Sequence, residues 1–374
     1  ILSISTITGN AISGIFWLYL AGLMGEESYG ELGYLIAIAG ITSNVVLIGG
    51  VWTMTVYTAK KVDVQPVLYL ISIISSGISA FILYFIFQNA GLSIFVIGFV
   101  IFNLTLAEVN GRKLYTDYSK FFILQKIFFV LISLGMFQFI GAEGILIGYG
   151  LSYLPFFKRM YISLRTNNFK FKFLKEKSGF IANNYALDMI SAVGGQIDKL
   201  MIVPLFGFGL LGNYYLGLQV VSMLGIIPGV IFTYILPQDA SGSSTKKLRM
   251  LTILGSVILA ILGVFLAPIL IPIVFPEYEE SLILIPILSI SVIPGTITSM
   301  YTSKFLGKEK SLYVLIGYLI SASALVLGIL ILSEIFGVIG LAFAYVGSMS
   351  LQAIFLVIMN YFKRDIFREK MNHE

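Results

Sequence analysis

The run Ile253–Phe275, ILGSVILAILGVFLAPILIPIVF, has no charged residue over twenty-three positions and is apolar on every face. A strand of a membrane barrel alternates apolar and polar residues over about ten positions, because one face meets lipid and the other the lumen. This run does not alternate. It exceeds the roughly 20 residues that a helix needs to cross a bilayer. In lipid a lone segment must satisfy its own backbone amides, which a helix does and a single strand cannot.

Outward from this run, others like it recur along the 374 residues, each bounded by charge or turn residues. They predict twelve membrane helices over 2–24, 33–57, 67–87, 92–110, 119–140, 143–157, 180–205, 213–236, 250–275, 282–303, 311–333 and 338–361. Composition agrees: 58% of residues are hydrophobic, 11% are charged and the mean hydropathy is +0.95, whereas a soluble domain carries about 25% charge. A secreted domain, a soluble enzyme and a nucleic-acid reader are thereby excluded. There is no Cys, and the one histidine, His373, stands beside the last residue. Disulfides and haem, zinc or iron–sulfur sites lack their usual ligands, and no cofactor is expected.

Lys and Arg remain on the cytoplasmic side of a membrane protein, so their placement predicts direction. Of the 24, 22 fall in alternate connections and the tail, as in Lys60 and Lys61, Arg112 to Lys120, Lys158 to Lys177 (including Lys170), Lys246 to Arg249, and Lys304 to Lys310. The intervening connections have none and carry Glu26, Glu27, Glu31, Glu143, Glu277, Glu279, Glu280 and Glu334. Both termini are expected on the cytoplasmic side of the cytoplasmic (inner) membrane. An even number of crossings fits that alternation. The first run lacks a basic leader and is too long for the core of a signal peptide, so residues 2–24 are expected to persist as the first helix. The sequence starts without Met, and a short basic segment is expected before it.

Internal repetition is visible in the turns. Gly25-Glu-Glu-Ser-Tyr-Gly30 joins predicted helices 1 and 2, and 182 residues later Gly207-Phe-Gly-Leu-Leu-Gly212 joins helices 7 and 8. Gly141-Ala-Glu-Gly144-Ile-Leu-Ile-Gly148-Tyr149 precedes Gly337-Val-Ile-Gly340-Leu-Ala-Phe-Ala344-Tyr345 by 196 residues. Both pairs relate helix n to helix n + 6. The expected fold is therefore an all-α integral membrane protein of about twelve helices in two six-helix lobes, related by a pseudo-twofold axis along the membrane normal. The lobes span 1–163 and 180–374, with a basic connection over 164–179. Eight of ten prolines lie beyond position 200, so the second lobe is expected to hold the bent helices.

Ionisable residues inside lipid cost at least about 2.5–3.5 kcal/mol each and mark candidate function. Helix 7 carries Asp188, Asp198 and Lys199, helix 5 carries Lys126, and Glu108 and Asp239 sit near cytoplasmic ends. At about 100° per residue, Asn184, Asp188, Ser191, Gly195, Asp198 and Lys199 share one arc of about 100°. Such a stripe faces a cavity, or else its acids pair with Lys199 or Lys126 as a clasp between helices. The extent of the stripe favours the cavity. Gly207-x-Gly209-x-x-Gly212 matches a dinucleotide fingerprint but follows no strand, and Asn103-Leu-Thr105 matches a glycosylation acceptor within helix 4. No phosphate-binding P-loop sequence is present. The connection Asn168–Lys177, in which Phe alternates with Lys, suits a lipid headgroup interface.

The stretch Ser13–Ala37, with its Gly-acidic-x-Tyr-Gly turn, resembles helices 1 and 2 of the polysaccharide-transporter family of O-antigen-type oligosaccharide flippases. The superfamily also holds multidrug-and-toxin extruders and lipid II flippases. Gln196-x-Asp198-Lys199 is similar to the family's charged helix-7 motif, and the Gly-x-x-Gly turns before helices 6 and 12 also fit. The resemblance implies flipping of a polyprenyl-linked oligosaccharide by alternating access, for surface polysaccharide synthesis. It also implies membrane lipids as surroundings, and glycosyltransferases or a polymerase of the same pathway as partners. The transport path would then involve Asp188, Lys199, Asp198, Asn184, Lys126 and Glu108. Gly22 stands where family members often have a base, no Arg lies deep in a span as in lipid II exporters, and helix 1 lacks the acid of some cation-coupled extruders. A small-molecule antiporter of the same superfamily remains the alternative. A membrane glycosyltransferase needs gathered carboxylates in a large loop, but 158–179 has only Glu176, so no enzymatic activity is expected. The connection 58–65 lacks the Gly- and Arg-rich motif of major-facilitator transporters.

Overall fold

A computed structural model of the chain describes residues 2–371 apart from 49, 167, 168, 170, 242 and 309, so that His373, Lys170 and Asn168 lie outside the described residues. Among these residues every regular element is helical, and they gather into two compact units. The first comprises residues 1–16 and 31–196, the second 17–30 and 197–374. Residues 180–196, expected at the start of the second lobe, group with the first unit, and 17–30 of the first helix group with the second.

Helix α1 (Leu2–Val46) is followed by α2 (Gly50–Ala59), α3 (Gln65–Phe87), α4 (Ala90–Gly111), α5 (Tyr115–Ile140) and α6 (Glu143–Leu151). A 3-10 turn at Leu154–Phe156 leads to α7 (Phe157–Thr166), α8 (Lys172–Glu176) and α9 (Ser178–Gly194). The second unit adds α10 (Ile197–Leu224), α11 (Ile226–Ala240), α12 (Lys246–Val274), α13 (Ser281–Ser289), α14 (Val292–Leu306), α15 (Ser311–Phe336) and α16 (Val338–Met371). Nine segments among the described residues are long and apolar enough to cross a membrane. Helix α1 is divided at Gly25 and α10 at Gly207 by non-helical backbone. A continuous helix the length of α1 would reach about 68 Å, more than twice the hydrocarbon core. With those two divisions and the α6–α7 segment, the count is the twelve that the sequence predicts.

Several predicted helices are interrupted. The second breaks at Leu47–Ile48, beside Gly49 and Gly50, and the sixth around Pro155. A proline alone does not break a helix: α12 runs unbroken through Pro268 and Pro272, and α10 through Pro204. The other interruptions fall at Gly195–Gln196, at Gly225, one turn before Pro228, and at Ile290–Ser291, one turn before Pro294, where the ring removes the amide that would bond the carbonyl four residues back.

The repeat is written into the backbone. Gly25 (φ 74°, ψ 169°) matches Gly207 (φ 83°, ψ −179°), and Gly141 (φ 70°, ψ −145°) matches Gly337 (φ 60°, ψ −136°). Positive φ strains any residue with a Cβ, so glycine recurs where each hairpin turns. Packing repeats as well. A Cβ on Gly144 would meet the Met136 backbone and one on Gly148 the Ser133 backbone, which forces α5 and α6 together. In the second unit Gly340 meets the Leu332 backbone and Gly328 meets Ala344. Gly340–Leu332 is Gly144–Met136 displaced by 196 residues, and Ala344, the counterpart of Gly148, meets the residue beside the counterpart of Ser133. Small residues four apart let membrane helices approach to backbone contact, where dispersion is strongest.

Around that ridge the first unit packs an aromatic core. Phe129 lies 3.8 Å from Tyr149 between ring centroids, and Phe95, Phe102 and Phe156 gather round Tyr149 and Tyr153. Large apolar side chains such as Ile258, Phe265 and Ile273 stay exposed along α12, as lipid contact requires.

Candidate functional site

Asp188 sits half-buried on α9 in the first unit and accepts a hydrogen bond from the Trp52 indole on α2. A Cβ on Gly50 would come within 3.0 Å of its Oδ2, so the glycine that breaks the second helix also leaves room for this carboxylate. Asn184 and Ser191 belong to the same helix, but their side chains lie outside the described residues. Lys126 on α5 is partly buried, with its ammonium 5.4 Å from the Phe122 ring centroid. Its stem faces Gly9 of α1. Asp188 and Lys126 thus share one unit without forming an ion pair between them.

Glu108 is a member of a closed network. Its side chain is 6% exposed and accepts from Tyr69 Oη at 2.9 Å and Arg112 Nε at 2.8 Å. Arg159 lies 3.6 Å away and reaches Asp117 on its other side. Both oxygens of this buried acid have a donor near them, which is how a buried charge is retained. It ties α4 to α3 and α7.

Asp198 and Lys199 belong to the second unit. The helix breaks at Gly195–Gln196 and α10 starts afresh at Ile197, so the predicted single arc from Asn184 to Lys199 is interrupted. A constant 100° advance holds only within an unbroken helix. Asp198, in the first turn of α10, accepts from the Lys199 amide at 2.9 Å and from Tyr214 Oη at 2.8 Å, while Lys199 Nζ lies 3.3 Å from its Oδ1. Both side chains are nearly inaccessible, at 3% and 8%. An acid is favoured at a helix N-terminus, so the break supplies the position that the carboxylate occupies. The pair is thus joined within α10 and to Tyr214 beyond the division at Gly207.

A further polar cluster fastens residues 17–30 within the second unit. Glu26 Oε2 accepts from Asn213 Nδ2 at 2.5 Å, Asn213 Oδ1 accepts from the Ser281 amide at 2.9 Å, and Tyr278 Oη donates to the Ala21 carbonyl at 2.8 Å. Burial, reinforced by the carboxylates of Glu26 and Glu277, pushes the Tyr278 phenol above its ordinary range, so it stays a donor. Beside it the two turns meet reciprocally: a Cβ on Gly30 would strike the Phe208 carbonyl, and one on Gly212 the Glu26 carbonyl. Sequence reading found these turns but missed Asn213. Its signal is an amide directly after the second Gly-x-x-x-x-Gly, in an otherwise apolar run.

The same fold occurs in solved membrane transporters. An inward-facing multidrug resistance MATE family transporter of the MOP superfamily aligns over 97% of this chain and 96% of its own at 13% identity, with a TM-score of 0.74. The lipid II flippase MurJ in an inward closed conformation aligns over 96% of this chain and 87% of its own at 14% identity, with a TM-score of 0.79. An outward-facing MATE family transporter gives 0.67 at 13% identity, over 97% and 94%. No protein-family model and no curated protein matches the chain. The likeness at these identities is one of fold: the chain is a multi-pass helical membrane protein built like the MATE and MurJ transporters.

Proposed function

We propose that this chain is a membrane transporter that flips a polyprenyl-linked oligosaccharide from the inner to the outer leaflet by alternating access, in surface polysaccharide synthesis. The observation that carries the reading is the overlap with a lipid-carrier flippase along nearly the whole chain. The family resemblance of Ser13–Ala37 and of Gln196-x-Asp198-Lys199 gives the oligosaccharide. Its partners in this reading are the lipid-linked glycan, membrane lipids, and the glycosyltransferases or polymerase of the same pathway.

Asp188 and Lys126, with Asn184 one turn before Asp188, are the groups we assign to the path in the first unit. Each ionisable group of the pair sits within an apolar helix, half-shielded and without a carboxylate–ammonium partner among the described residues. Lys126 supplies the charge that a diphosphate needs. Asp198, Lys199 and Glu108 act through structure, because their buried partners already occupy them.

The experiment is export in cells and in vesicles. Deletion should make the lipid-linked glycan accumulate on the cytoplasmic face, and reconstituted protein should equilibrate it between leaflets. Lys126→Ala should weaken export more than Lys126→Arg. The fuller coverage of the MATE chains favours one second reading, a small-molecule antiporter. Unchanged glycan export with raised sensitivity to cationic dyes in the deletion strain would establish it instead.

A further inference from the structure

At the Lys- and Arg-rich end of the second unit the end of α11, the start of α12, the end of α14 and α16 at Asn360 and Tyr361 line a cavity of about 580 Å³. Four cationic side chains line it, Lys246, Arg249, Lys304 and Lys308, against one carboxylate, Asp239. That carboxylate is already satisfied. Arg249 Nη2 donates to both of its oxygens at 2.8 and 3.0 Å, Thr245 Oγ1 at 2.6 Å and Ser303 Oγ at 2.7 Å. The guanidinium is therefore held in one orientation, with its charge matched on one side only. Its Nε–H is buried and has no hydrogen-bond partner, although a buried donor without an acceptor is costly. Lys304 Nζ is anchored by Asn360 Oδ1 at 2.5 Å, which fixes a second cation at the cavity wall.

The other wall is apolar. Met250 and Leu254 of α12 line the cavity and are 61% and 53% exposed. Ile258, Ile261 and Phe265 continue the same face at 62%, 50% and 68%. Residues at intervals of three and four form one ridge. From Met250 to Phe265 it extends about 22 Å along the helix axis, enough to follow an acyl chain through one leaflet, about half of a 30 Å hydrocarbon core.

A cavity lined by four cations against one satisfied carboxylate, opening onto an apolar ridge, matches an anionic head on a hydrocarbon tail. We propose that this cavity is a binding site for an anionic membrane phospholipid, whose phosphate is held by Arg249, Lys304 and the neighbouring lysines and whose acyl chain lies along Met250, Leu254 and Ile258. Planar N–H groups of arginine suit phosphate oxygens, and basic pockets at helix ends are suited to acidic headgroups. The site is independent of what the protein carries, so it stands or falls apart from the flippase reading.

Binding to the purified full chain in detergent, read by native mass spectrometry and by the shift in thermal midpoint, tests it with three probes. Phosphatidylglycerol should bind and raise the midpoint, phosphatidylcholine should do neither, and inorganic phosphate should not reproduce the shift. Loss of a charge-assisted contact should weaken phosphatidylglycerol binding about tenfold in Lys304→Gln/Lys308→Gln. That variant leaves the Asp239 network intact, which Arg249→Gln does not, and Lys60→Gln/Lys61→Gln in the first unit should bind as the parent does. Equal binding by the Lys304/Lys308 variant and the parent, equal affinity for phosphatidylcholine, or an equal shift with inorganic phosphate would each overturn the proposal.

Discussion

Asp198 shows how far a single residue can be read from its neighbours in sequence. Its burial in an apolar helix marks it as expensive, and adjacency to Lys199 suggests a partner. Residues i and i + 1 on a helix do not normally face one another. Here the helix restarts one residue earlier, at Ile197, and Tyr214, sixteen positions on, supplies a further donor. Lys199→Met should leave a buried carboxylate short of its cation, lowering stability by about 3–5 kcal/mol, read as the unfolding midpoint in detergent. Asp198→Asn/Lys199→Met should recover most of that loss, since removing both members of a buried pair is often tolerated. Recovered stability without recovered export would return the pair to the transport path. Glu108 belongs to the same class: Tyr69→Phe removes one hydrogen bond to a buried charge and should cost about 1.5–3 kcal/mol, while transport per folded molecule stays unchanged. The pairing of Glu108 with Arg112 is legible at a spacing of four. Its contacts with Tyr69 and Arg159 are not, because they join different helices.

Helical elements are specified most plainly by where glycine stands. Gly25, Gly141, Gly207 and Gly337 adopt backbone that other residues resist, and the turn motifs found in the sequence are these positions. Interior glycines divide into two kinds that sequence alone does not separate. Gly144 and Gly340 touch the backbone of the partner helix, whereas a Cβ on Gly77 or Gly135 would meet nothing within 4 Å. Gly144→Leu and Gly340→Leu should each lower the folded yield in membranes sharply. Gly135→Ala should leave it unchanged or raise stability by up to about 1 kcal/mol, the helix preference of Ala over Gly. Proline is a partial guide: in the proline-rich half the breaks at Gly225 and Ile290–Ser291 stand one turn before Pro228 and Pro294, while α12 passes through two prolines without interruption. In lipid, neighbouring helices and local adjustment can accommodate the missing donor.

For the molecule as a whole, orientation is the testable consequence of charge. The chain has no Cys, so single Cys residues can report accessibility without background. Positions 61, 172 and 247 are exposed at the basic end of their connections, and 27 and 279 are exposed in connections without bases. An impermeant thiol reagent added to intact cells should label Glu27→Cys and Glu279→Cys and spare Lys61→Cys, Lys172→Cys and Lys247→Cys. Labelling at 172 but not 279 would invert the topology.

The sequence by itself determined the helical class, the number of crossings and the repeat between helix n and helix n + 6. Each of these rests on local quantities: apolar length against bilayer thickness, and glycine where φ must be positive. Only the tertiary structure decided which polar groups are spent on one another. Asp198 with Lys199 and Tyr214, Glu108 with Tyr69 and Arg159, and Glu26 with Asn213 all depend on helices distant in sequence or on a break between turns. The basic cavity at Arg249 depends on four helices meeting. Periodicity fixes the face a side chain occupies along its own helix, but the neighbour that satisfies its charge is set by packing between helices, where small residues and breaks in the backbone choose the approach.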